Sequence, residues 1–240
     1  MNVLITGGAS GLGEAITRIL AKNTENKVFF SYNNSVAKAK KIESDFSNAF
    51  AIQCDFGDVD ALKLFTEKMV EFDLDILIHN AYSGAFLKSH FHKISLDDFL
   101  TDFKENLLPV IEITQTAING FRKKKSGKII TVLTAALVDN PPIGASIYAA
   151  NKAYLKKLTQ VWANENAKFN ITSNAVSPSF MQTNLTASFD DRIKEQMIEN
   201  HPLKKLLTVG EVAETVLFLT NASNQMNGVD IIINAGINIR

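Results

Sequence analysis

Tyr148 and Lys152 stand four residues apart in the stretch Tyr148-Ala149-Ala150-Asn151-Lys152. On a helix that spacing puts both side chains on one face, one turn from each other. A tyrosine phenol titrates at about 10 and is protonated at neutral pH. A fixed ammonium beside it favours the phenolate. Opposite charges at about 4 Å attract by about 4 kcal/mol at an effective dielectric of about 20. At about 1.4 kcal/mol per pKa unit, that attraction would bring the phenol close to neutrality. The pair is a candidate general acid–base, although the same spacing also decorates solvated helix faces. A second stretch, Thr6-Gly7-Gly8-Ala9-Ser10-Gly11-Leu12-Gly13, follows an apolar run and opens a segment of helical period. Glycines let a backbone turn sharply and approach a pyrophosphate, whose charge a helix N-terminus stabilises. A plain strand–helix turn is the alternative reading.

These residues need a scaffold, and the apolar pattern describes one. Residues 3–5, 28–30, 49–52, 76–78, 129–133, 171–176 and 229–233 read as strands; the first four are apolar on consecutive positions, as strands buried on both faces are, and the last three are interrupted by polar residues. Residues 12–22, 36–46, 59–72, 96–124, 147–168 and 211–220 have helical period. The alternation predicts an α/β fold, a parallel sheet with helices on both faces. No composition break or repeat interrupts the 240 residues, so one domain is expected. Two segments resist the pattern, 82–94 and 178–201, and both follow a strand. Open α/β sheets place ligands outside the strand C-termini, so the second is expected to act as a substrate lid. Within the long helix, Pro109 leaves the Glu105 carbonyl without a donor and is expected to kink it.

Jointly, the glycine turn, Tyr148 and Lys152 resemble the short-chain dehydrogenase/reductase family. Gly7, Gly11 and Gly13 match the spacing of its shorter, single-domain branch. Residues 75–81 (Asp-Ile-Leu-Ile-His-Asn-Ala) look like its fourth-strand Asn-Ala-Gly motif, and Asn106-Leu107-Leu108-Pro109 like its active-site asparagine segment. Asn174-Ala175-Val176-Ser177-Pro178 with Thr183 resembles its Pro-Gly segment and the threonine that holds the carboxamide. Pro202-Leu203 and Gly210-Glu211-Val212-Ala213 are most similar to the beta-ketoacyl-ACP reductase subgroup.

The resemblance implies a Rossmann-type doubly wound sheet of about seven parallel strands and hydride transfer between a nicotinamide and a carbonyl carbon. It makes Tyr148 the acid–base, Lys152 its partner and the holder of the nicotinamide ribose, and Asn106 the support of a water relay. The family's substrate-orienting serine stands thirteen residues before the tyrosine, at Ala135; Thr134 carries the hydroxyl and is assigned the role. The cofactor contacts it implies are Gly7, Ser10, Gly11, Leu12, Gly13, Asn33, Ser35, Asp55, Phe56, Asn80, Ala81, Tyr148, Lys152, Met181 and Thr183. Phe29-Phe30-Ser31-Tyr32-Asn33-Asn34-Ser35 offers no carboxylate to the ribose, so repulsion of a 2′-phosphate is absent and NADP(H) is favoured over NAD(H). Lys38 is the nearest cation. Tyr82, Ser179 and Asn234-Ala235-Gly236 replace glycines or a Gly-Gly of the family pattern, which concerns substrate rather than fold.

Lysine plus arginine balance aspartate plus glutamate at 25 each, so no global field recruits nucleic acid or an anionic membrane. One cysteine, Cys54, excludes an internal disulfide framework. No basic n-region or long apolar run appears, so a cytoplasmic protein is expected. His90 and His92 lack an evident third ligand, and no metal is expected. Arg122-Lys123-Lys124-Lys125 reads as a helix C-terminus offsetting the dipole, or as a docking patch for an acidic acyl carrier. Trp162, Leu158, Leu155 and Val161 read as core or subunit interface; relatives imply a tetramer or dimer. The expected function is reduction of a ketone or beta-ketoacyl thioester. Phe86, Leu87, Phe91, Phe180, Met181 and Phe189 point to an apolar substrate. Oxidation of a sugar, polyol or other secondary alcohol is one alternative; a non-catalytic nucleotide-binding scaffold is the other.

Overall fold

Alternate residues of each apolar run are buried on opposite faces, and this is what fixes the layers. Val3 and Ile5 pack with Ile16 and Leu20 and with Val212 and Val216. Leu4, between them, packs on the other side with Phe65, Ile113, Phe121 and Trp162. The computed structural model describes residues 1–181, 183 and 191–237. Among these, β1 (Asn2–Ile5), β2 (Lys27–Tyr32), β3 (Ala49–Gln53), β4 (Ile76–His79), β5 (Gly127–Val132), β6 (Ile171–Pro178) and β7 (Asp230–Ile233) form one sheet. Its order is β3-β2-β1-β4-β5-β6-β7 and every pairing is parallel. The helices are α1 (Gly11–Ala21), α2 (Val36–Asp45), α3 (Val59–Met69), α4 (Leu96–Asn106), α5 (Leu108–Lys124), α6 (Ser146–Asn166), α7 (Asp191–Asn200) and α8 (Val209–Asn221). The sheet and its two helical layers are those the apolar pattern predicts.

The chain runs outward from β1 through β2 to β3, then returns to β1's other side as β4. Connections leaving β1 and β4 diverge, and a crevice opens at their carboxyl ends. The glycine turn leaves β1 there, and residues 80–94 leave β4 there.

Two segments differ from expectation. Residues 96–124 are two helices rather than one kinked helix. Proline at the second position of α5 supplies no N–H, α4 ends at Asn106, and Leu107 (φ −102°, ψ −46°) carries the break. The start of α4 is fixed by a capping box, in which the Ser95 hydroxyl accepts from the Asp98 N–H and the Asp98 carboxylate accepts from the Ser95 N–H. In the expected lid, 191–200 is helical (α7), and His201 is buried. Residues 182 and 184–190, Phe189 included, lie outside the described residues.

Ala235 adopts φ 52°, left-handed backbone where the family pattern has glycine. A Cβ there costs roughly 1 kcal/mol. Ala235→Gly should therefore raise stability by about that amount, less the entropy glycine adds to the unfolded chain. Thermal melting reads it, and a lowered midpoint would show that packing of the Ala235 methyl outweighs the strain.

Candidate active site

The crevice is a cavity of about 1210 Å³. All seventeen residues that the sequence proposes for catalysis or cofactor contact line it, from Gly7 and Ser35 through Asn106 and Tyr148 to Thr183.

The glycine turn forms its floor. Gly7 has φ 67°, and a Cβ on Gly13 would lie 2.0 Å from the Gly7 carbonyl oxygen. Only a bare backbone makes this turn so tight, and the space above it stays open for a ligand. Asn80 holds the turn from β4's side: its Nδ2 donates to the carbonyls of Thr6 (3.1 Å) and Gly7 (3.2 Å). The Thr6 hydroxyl accepts from the N–H groups of Asn80 and Ala81 at 3.0 and 3.1 Å. The turn therefore leads directly to the β4 loop. With α1's N-terminus on this wall, the donors fit a pyrophosphate. At the far end, Tyr32, Asn33, Asn34 and Ser35 line the cavity, whereas Lys38 does not.

Tyr148 lies in the first turn of α6 and Lys152 in the second. The Thr134 hydroxyl, just past β5, hydrogen-bonds the Tyr148 phenol. Ala135, at the family's usual serine position, begins a short helical turn (Ala135–Leu137) and has no hydroxyl to offer. The Lys152 ammonium is 5 % exposed and donates to the Val132 carbonyl at 2.8 Å. That bond uses one of its three N–H donors. Asn106 accepts from the Ser83 N–H (2.7 Å) and donates to the Ser83 carbonyl (3.2 Å), bracing the loop after β4.

The electrostatics correct one expectation. The neighbouring ammonium does not pull Tyr148 toward neutrality. Burial pushes its phenol up to about 12, and only the Thr134 hydrogen bond opposes this. The rings of Tyr82 and Phe86 stand edge-on to Tyr148 at 5.1 and 4.6 Å and exclude water. Burial likewise presses Lys152 down to about 8, partly offset by the Asp102 carboxylate. A protonated phenol is suited to give up a proton to an oxygen that gains charge. His79 also lines the cavity, but burial and then Lys152 lower it to about 3, so it is neutral at ordinary pH.

Two participants escaped the sequence reading. Asp102, 4 % exposed, accepts from the Tyr82 hydroxyl (3.1 Å), Asn106 (3.2 Å) and Asn151 (2.7 Å). Asn151 lies within the opening Tyr–Lys stretch but carried no assigned role. Its single signal was position: Asp102 is four residues before Asn106, on the same helix face. Cys54 is buried and its thiol is pushed up to about 12, an inert filler.

Other side chains carry plainer roles. Arg122 donates to Asn166 Oδ1 at 2.7 Å and its guanidinium covers the Phe169 ring at 4.8 Å. Lys124 pairs with Asp75 at 2.7 Å and Asp73 at 3.1 Å. Two cations of the basic run are thus engaged within the chain. Trp162 and Leu155 are buried in the core, while Val161 is exposed. Among the described residues no three His, Cys, Asp or Glu side chains group to hold a metal, and no helix is long and apolar enough to cross a membrane.

A family model described as "Enoyl-(Acyl carrier protein) reductase" matches residues 7–238. The curated 3-oxoacyl-(acyl-carrier-protein) reductase FabG of Staphylococcus aureus is 31% identical, over 98% of this chain and 97% of that one. A solved short chain dehydrogenase from Burkholderia cenocepacia, in complex with NADP, is 27% identical with a TM-score of 0.85, covering 99% and 98% of the two chains. Another, described as a short chain dehydrogenase/reductase family protein, is 25% identical with a TM-score of 0.86 over 98% and 95%.

Three outcomes are expected. Thr134→Ala removes the hydroxyl partner of Tyr148 and should lower kcat by about a hundredfold with cofactor affinity unchanged; unaltered turnover would remove Thr134 from the site. Lys152 has its pKa lowered by folding, so between about 8 and 10.5 the unfolded chain binds the extra proton. Stability should then gain with rising pH across that window, and Lys152→Met should abolish the gain in urea titrations. Activity that needs the ammonium should fall as pH rises through about 8.

Proposed function

The chain belongs to the short-chain dehydrogenase/reductase family, and on that premise we propose that it is an NAD(P)H-dependent reductase of a ketone or beta-ketoacyl thioester. One observation carries this reading. Tyr148, bonded to Thr134 and one turn from Lys152, opens into the same cavity as the glycine turn. The S. aureus relative named above acts on 3-oxoacyl groups, which agrees with the apolar side chains Phe86, Phe180, Met181, Met197 and Leu206 on the cavity wall.

When bound, the dinucleotide supplies a hydride to the carbonyl carbon. The chain supplies the rest. Gly7, Ser10, Gly11, Leu12 and Gly13 leave room for the pyrophosphate, and Asp55 and Phe56 face the adenine end. Thr183, Met181 and Ala81 line the nicotinamide end. Lys152, whose bond to the Val132 carbonyl uses one of its three N–H donors, would hold the nicotinamide ribose with the others. Thr134 holds the substrate oxygen beside Tyr148, and the phenol proton passes to that oxygen as the C=O pair is released to it. The proton returns to Tyr148 from solvent; Asn106, bound to the Ser83 backbone, shapes that route.

NADP(H) is the favoured cofactor because Asn33 and Ser35 present no carboxylate to a 2′-phosphate, and the B. cenocepacia relative binds NADP. The substrate lid belongs to this reading too, and among its described residues helix α7 brings Gln196, Met197 and Asn200 to the cavity. The protein works in the cytoplasm as a homotetramer or homodimer; Leu96, Leu100, Leu108 and Tyr154, all exposed on α4 to α6, supply an apolar face for a second copy. An acyl carrier protein delivers the thioester in this reading, with Lys123 and Lys125, which form no ion pair among the described residues, as its docking cations.

The description of the family model names enoyl rather than keto reduction, so the assay separates the two. Purified protein is mixed with NADPH or NADH and acetoacetyl thioester, crotonyl thioester, small ketones or, with the oxidised cofactor, polyols, and absorbance is followed. Oxidation of NADPH with the acetoacetyl thioester is expected. Turnover of the crotonyl thioester alone, or of polyols alone, replaces the keto reading. Cofactor binding without turnover of any substrate makes the chain a scaffold.

A further inference from the structure

Tyr82 occupies a position where the family pattern has glycine, and the structure gives its phenol a dedicated acceptor. The Tyr82 hydroxyl donates to Asp102 Oδ2 at 3.1 Å, while Asp102 Oδ1 accepts from Asn151 Nδ2 at 2.7 Å and Asn106 Nδ2 at 3.2 Å. These donors come from three segments, the loop after β4, α6 and α4 itself. All three are neutral, so the buried carboxylate is hydrogen-bonded without being neutralised. The cation its charge acts on is Lys152, whose sequence neighbour Asn151 it grips. Lys152 Nζ lies 5.7 Å from the ring centroids of both Tyr82 and Tyr148. The titratable groups around this contact are Asp102 and Glu105 from α4, His79 from β4, Tyr82 from the loop and Tyr148 from α6. His79 is neutral, and Glu105 is held by the Ser83 hydroxyl at 3.0 Å.

We propose that Asp102 is a positioning residue of this site: its carboxylate pins Tyr82 against Tyr148 and its charge keeps the buried Lys152 ammonium charged. The inference rests on the reading of Tyr148 and Lys152 as the working pair. It explains why a tyrosine is accommodated in place of glycine. Without Asp102, the Tyr82 hydroxyl would lose its partner in a half-buried wall, and Lys152 would lose the carboxylate that favours its charged form against burial. A merely structural carboxylate would hold α4 to α6 equally well and leave the titration of Lys152 where it was.

The test uses the full chain labelled with ¹³C at lysine Cε, the Lys152 signal being the one lost in Lys152→Met. In the wild type, Lys152 should be charged at neutral pH. In Asp102→Asn its midpoint should fall by about one unit, and the alkaline limb of kcat/KM should move down with it. Tyr82→Phe keeps the carboxylate, so the midpoint should stay in place while KM rises several-fold. A titration of Asp102→Asn that superimposes on the wild type overturns the proposal, as does a wild-type Lys152 that is neutral at neutral pH. Should Asp102→Asn fail to fold, the exchange Asp102→Asn/Asn151→Asp returns one carboxylate and one amide to the same contact. It should titrate like the wild type with a raised KM; a lowered midpoint there overturns the proposal. If no substrate is turned over by the wild type, the catalytic reading of Tyr148 fails, while the lysine titration still decides what Asp102 does.

Discussion

A buried ammonium dominates the physics of this molecule. Lys152 lies almost wholly inside the protein, and an ammonium there loses most of its hydration. The surroundings are arranged around that fact. The last carbonyl of β5 points at Nζ, two aromatic ring faces stand within reach of it, and a buried carboxylate lies one residue away along α6's contact with α4. Remove the ammonium and the carbonyl of Val132, the carboxylate and the tyrosine pair lose their common partner. The cavity, the proton donor and the α4–α6 junction are therefore one electrostatic unit.

The fold was legible because both faces of the strands are covered. Val3, Leu4 and Ile5 alternate between two cores, so a consecutive apolar run could only be a sheet interior. The glycine turn was legible for steric reasons: no side chain fits where Gly13 meets the Gly7 carbonyl. Thr134, which carries the hydroxyl that Ala135 lacks, is the group the structure brings to Tyr148. In each case a local rule, periodicity, excluded volume or donor chemistry, had a single solution.

What was not legible depends on distances between remote segments. Asp102 and Asn151 are 49 positions apart, and nothing in either neighbourhood announces the bond between them. The break at Leu107 follows from Pro109, but its size depends on how α4 and α5 each pack, so a kink was expected where two helices exist. The sign of the Tyr148 shift failed for the same reason. The spacing supplied the nearby cation and said nothing of the rings of Tyr82 and Phe86, which come from a loop of no regular period. Burial is a property of the assembled fold, and it outweighed a charge that sequence could see.

That reversal bears on direction. Burial acts oppositely on the two members of the pair, raising the acid that is neutral when protonated and lowering the base that is charged when protonated. The result is a phenol that holds its proton and an ammonium poised to lose its own. A site built to remove a proton from an alcohol needs the phenolate, which these surroundings disfavour. A site built to give a proton to a carbonyl oxygen needs the phenol already loaded, which they favour. The Thr134 hydroxyl then acts at the right moment: it hydrogen-bonds the phenol oxygen and stabilises the negative charge left there once the proton has gone. The wall that Tyr82 and Phe86 build around Tyr148 thus does more than shape a pocket, because it keeps the phenol loaded with the proton that a carbonyl oxygen takes up.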